Sequence, residues 1–454
     1  MVALLLSALS GALLSAAFEP VGKWWVAPIA LAAHMYVLSI SRKKVLSSFV
    51  FALSLNLIVL HWSSTFVGSV PWVILALGMS IFYLPLSLVS RYGIAAYPLI
   101  YILMEEVRNR FPFGGFGWVR IAYTQADSPF SQIAAVGGAS ALSALTLLLG
   151  LILFYAIKRK LSLIAFLPFL LIFVPMNLST LGTAKVMMIQ GNVPTMGLDF
   201  NSRAKAVFKN HFERTQDEIT SDPNVDFIVW PENSVDVDPF LNSDVKSSLD
   251  SIKRPLIIGA ILNKGSSIYN TSILWDEELP DIYFKQHLTP FGEYIPLRSI
   301  ARLVTPLVDD VEDFSPGNGG KTFSIGEIKV APVICYELID DDLLHKAAVD
   351  SNIFAVQTNS ATFGMSAESA QQLSITRIRA IEHGRNIASV STTGYSAVID
   401  YTGKVSEKTS MGTAETIRAE VGLIEGQTPR DKAGDWALIG VLISLLLVAR
   451  RAYR

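Results

Sequence analysis

The chain has 454 residues, of which 51% are hydrophobic and 17% are charged, and its mean hydropathy is +0.42. This composition is too apolar for an ordinary soluble protein, and it predicts that part of the chain lies in a lipid bilayer. The net charge of −2, without a basic stripe, argues against a nucleic-acid partner. Apolar sequence dominates residues 1–181 and 435–454, whereas residues 182–434 have a mixed globular composition.

Apolar segments of membrane-spanning length recur along the first region. A transmembrane helix needs about 20 predominantly apolar residues. By this criterion we predict eight spans, covering roughly residues 1–18, 23–41, 45–67, 71–89, 92–104, 131–157, 161–180 and 435–449. The first lacks the basic start of a cleaved signal peptide, so we interpret it as a retained helix. The fifth is short and ends at Glu105 and Glu106.

Basic clusters predict the orientation of these spans, because Lys and Arg near helix ends remain on the cytoplasmic side. The clusters follow even-numbered spans and consist of Arg42, Lys43, Lys44, Arg91, Lys158, Arg159, Lys160, Arg450, Arg451 and Arg454. One loop is contrary to this rule, because it would be external although it contains Arg108, Arg110 and Arg120. The pattern predicts two cytoplasmic termini and places residues 182–434 outside the cytoplasm.

Short β-branched runs alternate with helical stretches through residues 182–434. The runs are AKVMMIQGNV, DFIVWPE, RPLIIGAIL, SIYNTSILW, IKVAPVICYE, IFAVQTNS, NIASVSTTG and SAVIDYTGKV, and Gly, Pro, Asn or Asp bounds them. The helical stretches are NSRAKAVFKNHFERTQDEITSD, NSDVKSSLDSIK, DDDLLHKAAVDS and SAESAQQLSITRIRAIEHGR. This alternation predicts an α/β layered domain. The polar segment EGQTPRDKAGD then links it to the last span.

Cys335 is the only cysteine of the chain, and it lies between an apolar strand and the acidic start of a predicted helix. A free cysteine is most often a small buried hydrophobic residue, and that alternative stays open here. Outside the cytoplasm, however, an unpaired thiol is either shielded or used chemically. A strand-to-helix corner would display the thiol, so Cys335 is a candidate nucleophile.

A cysteine nucleophile needs a proton acceptor, because its free pKa of about 8.5 leaves little thiolate at neutral pH. Glu232 directly follows a strand and a proline, and it is the candidate base. Lys285 is the candidate cation for stabilising the thiolate and an oxyanion, and Glu293 lies in the same stretch. Each of these residues alone would ordinarily be a solvated surface charge. His287 is the alternative partner of the thiol, and no metal-ligand spacing is evident.

Three motifs in fixed order carry a family resemblance. The segments VWPENS, YFKQHLTPFGEYIP and PVICYE resemble the Glu, Lys and Cys motifs of the nitrilase superfamily. With seven spans before them and one after, nearly the whole chain resembles the apolipoprotein N-acyltransferase family. The resemblance implies a nitrilase-like αββα sandwich inserted between spans seven and eight. It also implies that Cys335 is the nucleophile, Glu232 the proton acceptor and Lys285 the third member of a triad.

Further positions follow from the same resemblance. Glu293, Tyr336 and Glu337 match supporting or substrate-binding positions of the family. Trp118 is a weaker candidate, and an interfacial anchor is the favoured interpretation of it. The segment TMGLDF after Pro194 departs from the family pattern, in which some members carry a tryptophan near the pocket.

The resemblance also implies the reaction. Cys335 would attack an ester of a membrane phospholipid, such as phosphatidylethanolamine, and keep the acyl group as a thioester. The α-amine of a diacylglyceryl-modified cysteine of an apolipoprotein would then accept the acyl group, which is a ping-pong scheme. No cofactor is implied, and we expect a monomer.

Two other functions are compatible with parts of the sequence. A membrane-tethered amidase could use the same triad on a small soluble amide, although seven preceding spans are more than a tether needs. A transporter or receptor with an external binding domain is the non-enzymatic alternative. Charges are nearly absent from the predicted spans, which leaves no evident ion pathway.

Overall fold

The computed structural model describes residues 1–158, 163–193, 205–276, 280–303, 305–309 and 311–452. The chain forms two compact units, one made of residues 1–176 and 428–454 and the other of residues 177–427. Several sequence predictions lie outside the described residues: part of the seventh span, Arg159, Lys160, Arg454 and the segment that starts at Pro194.

The first unit is helical. Its helices before the second unit are α1 Val2–Ser15, α2 Val26–Ile40, α3 Lys44–Val59, α4 Ser69–Ile81, α5 Val89–Tyr92, α6 Tyr97–Arg110 and α7 Ile133–Ile157. Two helical stretches, Ser69–Tyr92 and Ile133–Ile157, are long and apolar enough to cross a membrane. Val2–Ser15, Val26–Ile40, Lys44–Val59 and Trp436–Val448 are apolar but shorter. The count of eight spans therefore stays a prediction.

Helix α6 continues past residue 104, where the predicted fifth span ends. Glu105 and Glu106 lie inside this helix and are buried. The carboxylate of Glu106 accepts a hydrogen bond from Arg120 Nη2 at 2.9 Å, and Glu105 Oε1 accepts one from the backbone N–H of Ile121 at 2.7 Å. The helix continues through two acidic residues because their charges find partners, which a hydropathy pattern does not reveal.

The second unit contains twelve strands in its described residues. These are β1 Ser179–Gln190, β2 Phe227–Val229, β3 Leu256–Lys264, β4 Ser267–Trp275, β5 Asp281–Phe284, β6 Phe323–Ile325, β7 Ile328–Ile334, β8 Ile353–Thr358, β9 Asn386–Ser391, β10 Ala397–Ile399, β11 Val405–Lys408 and β12 Glu415–Glu425. They form two six-stranded sheets, with the orders β12-β1-β2-β3-β4-β5 and β11-β10-β9-β8-β7-β6. Strands β1, β2 and β3 are parallel neighbours, as are β7, β8 and β9.

The helices of this unit are α8 Ala206–Ser221, α9 Ser243–Asp250, α10 Arg298–Ala301, α11 Asp341–Val349 and α12 Glu368–His383. Four of them, α8, α9, α11 and α12, confirm the helical stretches predicted from the sequence. Three strands were missed, namely β5, β6 and β12, and the last predicted strand is a hairpin of β10 and β11.

The alternation of side chains along β1 explains how the sheets are covered. Val186 and Met188 join a core that contains residues of both sheets, so one face of each sheet packs on the other. Met187 and Ile189 face the opposite way and pack with Leu249 of α9. Helices α11 and α12 contact β7 and β9 of the second sheet. The unit is thus a layered α/β sandwich with a two-sheet core.

The chain returns to the first unit through α13 Pro429–Ala433 and α14 Trp436–Ala452. The predicted polar linker is therefore partly helical, because Thr428 caps α13 by accepting the N–H of Asp431. The indole N–H of Trp436 donates to the carbonyl of Val136 at 2.8 Å, just before helix α7 breaks at Gly137 and Gly138. A Cβ on Gly137 would lie 2.9 Å from the Trp436 ring, so the close packing of α14 on α7 requires glycine there.

Candidate active site

Three strand ends of the sandwich carry the predicted triad. Glu232 follows β2, Lys285 directly follows β5, and Cys335 directly follows β7. Glu232 is 4% exposed and Lys285 is 1% exposed, whereas Cys335 is partly exposed. Side chains with formal charge are rarely buried to this extent without partners. Their placement therefore indicates a site rather than a solvated surface.

The turn that carries Glu232 lies directly against β3. A Cβ on Gly259 would lie 2.3 Å from the carbonyl oxygen of Pro231 and 2.6 Å from the Cα of Glu232. Only glycine permits this approach of two backbones. The side-chain amide of Gln357 on β8 donates to the carbonyl of Trp230 at 2.6 Å, so the same turn is also tied to the second sheet.

Cys335 occupies a strained corner between β7 and a 3₁₀ helix that spans Cys335–Ile339. Its φ is +49°, which places a residue with a Cβ in the left-handed region. Such corners at strand ends expose a nucleophile to the site. The side-chain amide of Gln372 lies 3.5 Å from Cys335 Sγ, which is hydrogen-bond distance for sulfur.

The buried carboxylate of Glu337 stabilises this corner through hydrogen bonds. Its Oε2 accepts the N–H of Ile334 at 2.8 Å, and its Oε1 accepts the hydroxyl of Tyr283 and the N–H of Gln286, both at 2.7 Å. Burial raises the pKa of Glu337 to about 7 although these donors favour the carboxylate. Since Gln286 is the neighbour of Lys285, Glu337 holds the thiol corner and the lysine segment together.

Lys285 lies between two carboxylates. Its Nζ is 3.0 Å from Glu232 Oε1 and 2.8 Å from Glu293 Oε2. The amide nitrogen of Asn270 donates to Glu232 Oε1 at 2.7 Å and to Glu293 Oε1 at 2.6 Å. The orientation of the Asn270 amide follows from these contacts, because a carboxylate only accepts. One cation and one amide thus hold two carboxylates at fixed positions.

The electrostatics of the cluster follow from its burial and charges. Burial opposes the charge on Lys285, but Glu232 and Glu293 outweigh it and raise the pKa of the ammonium. Burial and the carboxylate of Glu232 raise the pKa of the Cys335 thiol, and Lys285 only partly offsets them. The lysine is therefore charged and the thiol protonated at neutral pH. A thiol in this state needs a base at the moment of attack.

The other predicted residues have different surroundings. Tyr336 is buried, and its ring packs edge-on against His287 with centroids 5.3 Å apart. His287 Nδ1 lies 2.8 Å from Asp340 Oδ2, so the alternative thiol partner is engaged with a carboxylate. Trp118 belongs to the first unit, where it is buried against Trp62 at 5.2 Å between ring centroids.

Comparisons with known proteins identify the family. Residues 10–152 match the family model described as the apolipoprotein N-acyltransferase N-terminal domain, and residues 218–428 match the carbon-nitrogen hydrolase model. The apolipoprotein N-acyltransferase of Mycolicibacterium smegmatis is 30% identical over 95% of this chain and 82% of its own length. The chain belongs to the apolipoprotein N-acyltransferase family. The resemblance inferred from the sequence is thus confirmed, and the protein is an acyltransferase with a carbon-nitrogen hydrolase domain.

A second relative matches nearly the whole chain, and one solved structure is similar to part of it. The apolipoprotein N-acyltransferase of Photobacterium profundum is 26% identical and covers 99% of this chain and 96% of its own length. Among solved structures, the nitrilase superfamily member Nit3 of Saccharomyces cerevisiae is 19% identical, with a TM-score of 0.42 over 54% of this chain and 91% of Nit3.

Three residues of the site were missed by sequence reasoning, namely Asn270, Gln372 and Glu368. Asn270 lies inside β4, and Gln372 and Glu368 lie on α12, so no strand-end pattern marks them. The spacing of Glu368 and Gln372, four residues apart on one helix, is the only signal that the sequence offers. No group of three or more His, Cys, Asp or Glu side chains placed to hold a metal ion occurs in the described part of the chain.

Proposed function

We propose that this acyltransferase moves an acyl group from a membrane phospholipid to the α-amine of the S-diacylglyceryl cysteine of an apolipoprotein. The acyl group is held in between as a thioester on Cys335, with Glu232 as the base and Lys285 as the third member of the triad. The observation that carries the proposal is the geometry at Lys285: one buried ammonium holds Glu232 and Glu293, beside a thiol on a strained corner.

The first half-reaction begins with a protonated thiol. Lys285 and Asn270 both donate to Oε1 of Glu232, which leaves Oε2 as the oxygen that takes the thiol proton. The thiolate attacks the ester carbonyl, and the Lys285 N–H not used by the two carboxylates can donate to the developing oxyanion. The C–O bond then breaks, and Glu232 returns its proton to the departing lysophospholipid alcohol.

The second half-reaction uses the same groups in reverse. The acceptor amine attacks the thioester carbonyl, the C–S bond breaks, and Glu232 transfers the amine proton back to the sulfur. Glu293, Tyr336 and Glu337 act as supporting residues in this scheme. Asn270 and Glu337 position the carboxylate and the thiol corner without touching the reacting atoms.

A lipid substrate is supported by the surface next to Glu293. Four large apolar side chains are exposed between residues 291 and 303, and the most exposed of them, Leu303, is 86% accessible. They are Phe291, Leu297, Ile300 and Leu303. Clustered apolar exposure of this kind indicates contact with lipid or another apolar partner. We therefore assign this segment to lipid contact.

The membrane arrangement is part of the same proposal. Residues 1–181 and 435–454 form a multi-pass membrane domain with eight spans, both termini are cytoplasmic, and residues 182–434 are the extracytoplasmic catalytic domain. Single cysteines introduced at residue 2 and at residue 265 of a Cys335→Ser protein test it. A membrane-impermeant thiol reagent should label only residue 265 in intact cells, and labelling of residue 2 would contradict the orientation.

The catalytic proposal is tested by the intact mass of the protein after incubation with phospholipid. A fatty-acyl adduct should map to Cys335 and be released by neutral hydroxylamine, and a Cys335→Ala variant should carry none. Acyl transfer without any adduct at Cys335 would contradict the thioester scheme. Turnover of a short soluble amide without phospholipid would instead favour the amidase alternative.

A further inference from the structure

Gln372 contacts the reacting sulfur, and the scheme above gives it no role. It lies on α12 and is 4% exposed, and its side-chain amide nitrogen is 3.5 Å from Cys335 Sγ. Glu232 and Lys285 act on the thiol through their charges, whereas Gln372 reaches it by a hydrogen bond. This amide is therefore placed to act on the sulfur itself.

Helix α12 is anchored to the corner that carries the thiol. Arg379 lies two turns after Gln372 on this helix, and it is fully buried. Its Nε donates to the carbonyl of Leu338 at 2.8 Å, and its Nη2 donates to Asp341 Oδ1 at 2.6 Å. Leu338 belongs to the 3₁₀ helix that starts at Cys335. These contacts fix the helix against the corner, so the amide is held at the sulfur before any substrate binds.

The sulfur carries a negative charge at two points of the proposed reaction. A thiolate forms when the thiol proton leaves for Glu232, and it forms again when the C–S bond of the thioester breaks. In that scheme Lys285 uses its three N–H groups on Glu232, Glu293 and the oxyanion, so none remains for the sulfur. Burial raises the pKa of the Cys335 thiol, because an anion without a donor is costly there.

We propose that Gln372 is a catalytic residue that donates a side-chain N–H to Cys335 Sγ whenever the sulfur is anionic, an assignment that rests on the proposed function. In acylation, the thiol proton passes to Glu232, the S–C bond forms, and the departing alcohol takes that proton. In transfer, the C–N bond forms, the C–S bond breaks with its electron pair on sulfur, and Glu232 delivers the amine proton to the sulfur. Gln372 gives up no proton in either step.

A carboxamide suits this task because it stabilises the anion selectively. Its N–H donates to a thiolate in a charge-assisted hydrogen bond, which is about twice as strong as one between neutral groups. The sulfur of a thiol or a thioester is neutral and accepts only weakly. The interaction is therefore strongest at the charged stage, and this difference accelerates a reaction. An amide also stays neutral, so it does not compete with Glu232 for the proton.

Alkylation of the thiol tests the assignment without acyl transfer. Cys335 is the only cysteine of the chain, so cysteine adducts of iodoacetamide on the purified full-length protein report this thiol alone. Gln372→Met keeps the length of the side chain and removes the donor. The thiolate fraction should fall by about tenfold. Because a more basic thiolate reacts faster, alkylation between about pH 7 and pH 9 should slow by about three- to tenfold.

Steady-state kinetics with phospholipid and a diacylglyceryl-cysteine peptide give a second measurement. Both half-reactions pass through the thiolate, so Gln372→Met should lower kcat by about tenfold and leave both KM values near those of wild type. Loss of a substrate contact would instead raise KM with kcat unchanged.

Three further variants complete the experiment. Gln372→Leu also removes the donor and should match Gln372→Met. Gln372→His keeps an N–H donor on a side chain of similar reach, so its alkylation should be faster than that of Gln372→Met. Gln216→Met makes the same substitution on α8, where the amide of Gln216 makes an exposed hydrogen bond to Ser251, and it should behave as wild type.

Wild-type alkylation rates in both donor-free variants would overturn the assignment, and so would a raised KM with unchanged kcat. A Gln372→His variant alkylated no faster than Gln372→Met would overturn it as well. If wild type forms no acyl adduct with phospholipid, the proposed function fails, whereas the alkylation rates still report whether Gln372 stabilises the thiolate. The two failures are thus distinguishable.

Discussion

The two units each bury a cluster of charged side chains, and the clusters differ in their balance of charge. In the helical unit, Glu106 pairs with both Arg110 and Arg120, so one carboxylate serves two cations. In the sandwich, Lys285 serves both Glu232 and Glu293. Arginine stays protonated at any physiological pH, so the cations of the first cluster are permanent charges. In the second cluster, two carboxylates share one lysine near a protonated thiol.

This difference separates a structural ion cluster from a reactive one. Buried ion pairs hold helices together, and removing one partner leaves an uncompensated charge. A carboxylate close to a protonated thiol supplies a proton acceptor next to a proton donor, which is what proton transfer requires. The balance of charge, rather than burial itself, distinguishes the active site in this protein.

Removing the single cation of the sandwich cluster should have the largest effect. In Lys285→Met, Glu232 and Glu293 repel each other and one of them takes up a proton, so the base and the oxyanion donor are lost together. We expect acylation of Cys335 to slow by about 10³-fold or more. The measurement is the rate of adduct formation by mass spectrometry, and a slowing of less than about tenfold would contradict the role of Lys285.

A matched pair of substitutions tests the comparison directly. Glu106→Gln removes the carboxylate that pairs buried Arg120, and we expect a loss of about 3–5 kcal/mol in unfolding free energy. Glu232→Gln leaves Lys285 paired with Glu293, so we expect a loss of about 1 kcal/mol or less in unfolding free energy. Because the base is removed, acylation of this variant should be slower by about 10²–10⁴-fold. Thermal unfolding and acylation rates of both variants are measured, and equal loss of stability would show that the clusters do not differ.

A substitution on β3, where this strand packs against the turn of Glu232, should have a smaller effect on stability and acylation. In Gly259→Ala, the added Cβ displaces Glu232, and we expect about 1–3 kcal/mol of destabilisation together with slower acylation. Gly320→Ala is the control, because nothing lies within 4 Å of its Cβ position, and it should stay within about 0.5 kcal/mol of wild type. Wild-type acylation by Gly259→Ala would argue against this positioning.

The last expected effect concerns the pH dependence of stability. Glu368 has a pKa of about 8 in the folded protein, above the ordinary value of 4.5 that it has when unfolded. The folded form therefore binds the extra proton between these values, and stability falls as pH rises through that window. Glu368→Gln should lose less stability than wild type between pH 5 and pH 9. Parallel melting curves at both pH values for the two proteins would contradict the raised proton affinity.

The sequence predicted those parts of the site that local chemistry determines. Glu232 and Cys335 each follow a strand that the sequence predicted, whereas Lys285 follows β5, which was missed, and was singled out through the segment YFKQHLTPFGEYIP. Asn270 and Glu368 lie within a strand and a helix, and the direction of their side chains depends on how the two sheets and α12 pack. The helices of the sandwich were predicted for the same local reason, because each has its own apolar spacing and polar ends.

The misses in the fold have physical causes as well. Strand β12, with sequence ETIRAEVGLIE, is an edge strand whose many polar residues alternate, so it lacks the apolar run of a central strand. The predicted fifth span ends at residue 104 because Glu105 and Glu106 are acidic, whereas helix α6 continues to Arg110, and only the fold reveals Arg120 beside Glu106. A hydropathy scale scores each residue alone, and it does not include the charged residue that pairs with it in the fold.

The positive φ of Cys335 has a consequence for how such a protein can evolve. A left-handed residue with a Cβ costs about 1–2 kcal/mol relative to glycine in the same conformation. A Cys335→Gly substitution would relieve that conformation and remove the thiol in a single step. Selection for stability alone would therefore favour glycine at this position, and under the proposed role of Cys335 selection for acyl transfer keeps a cysteine there.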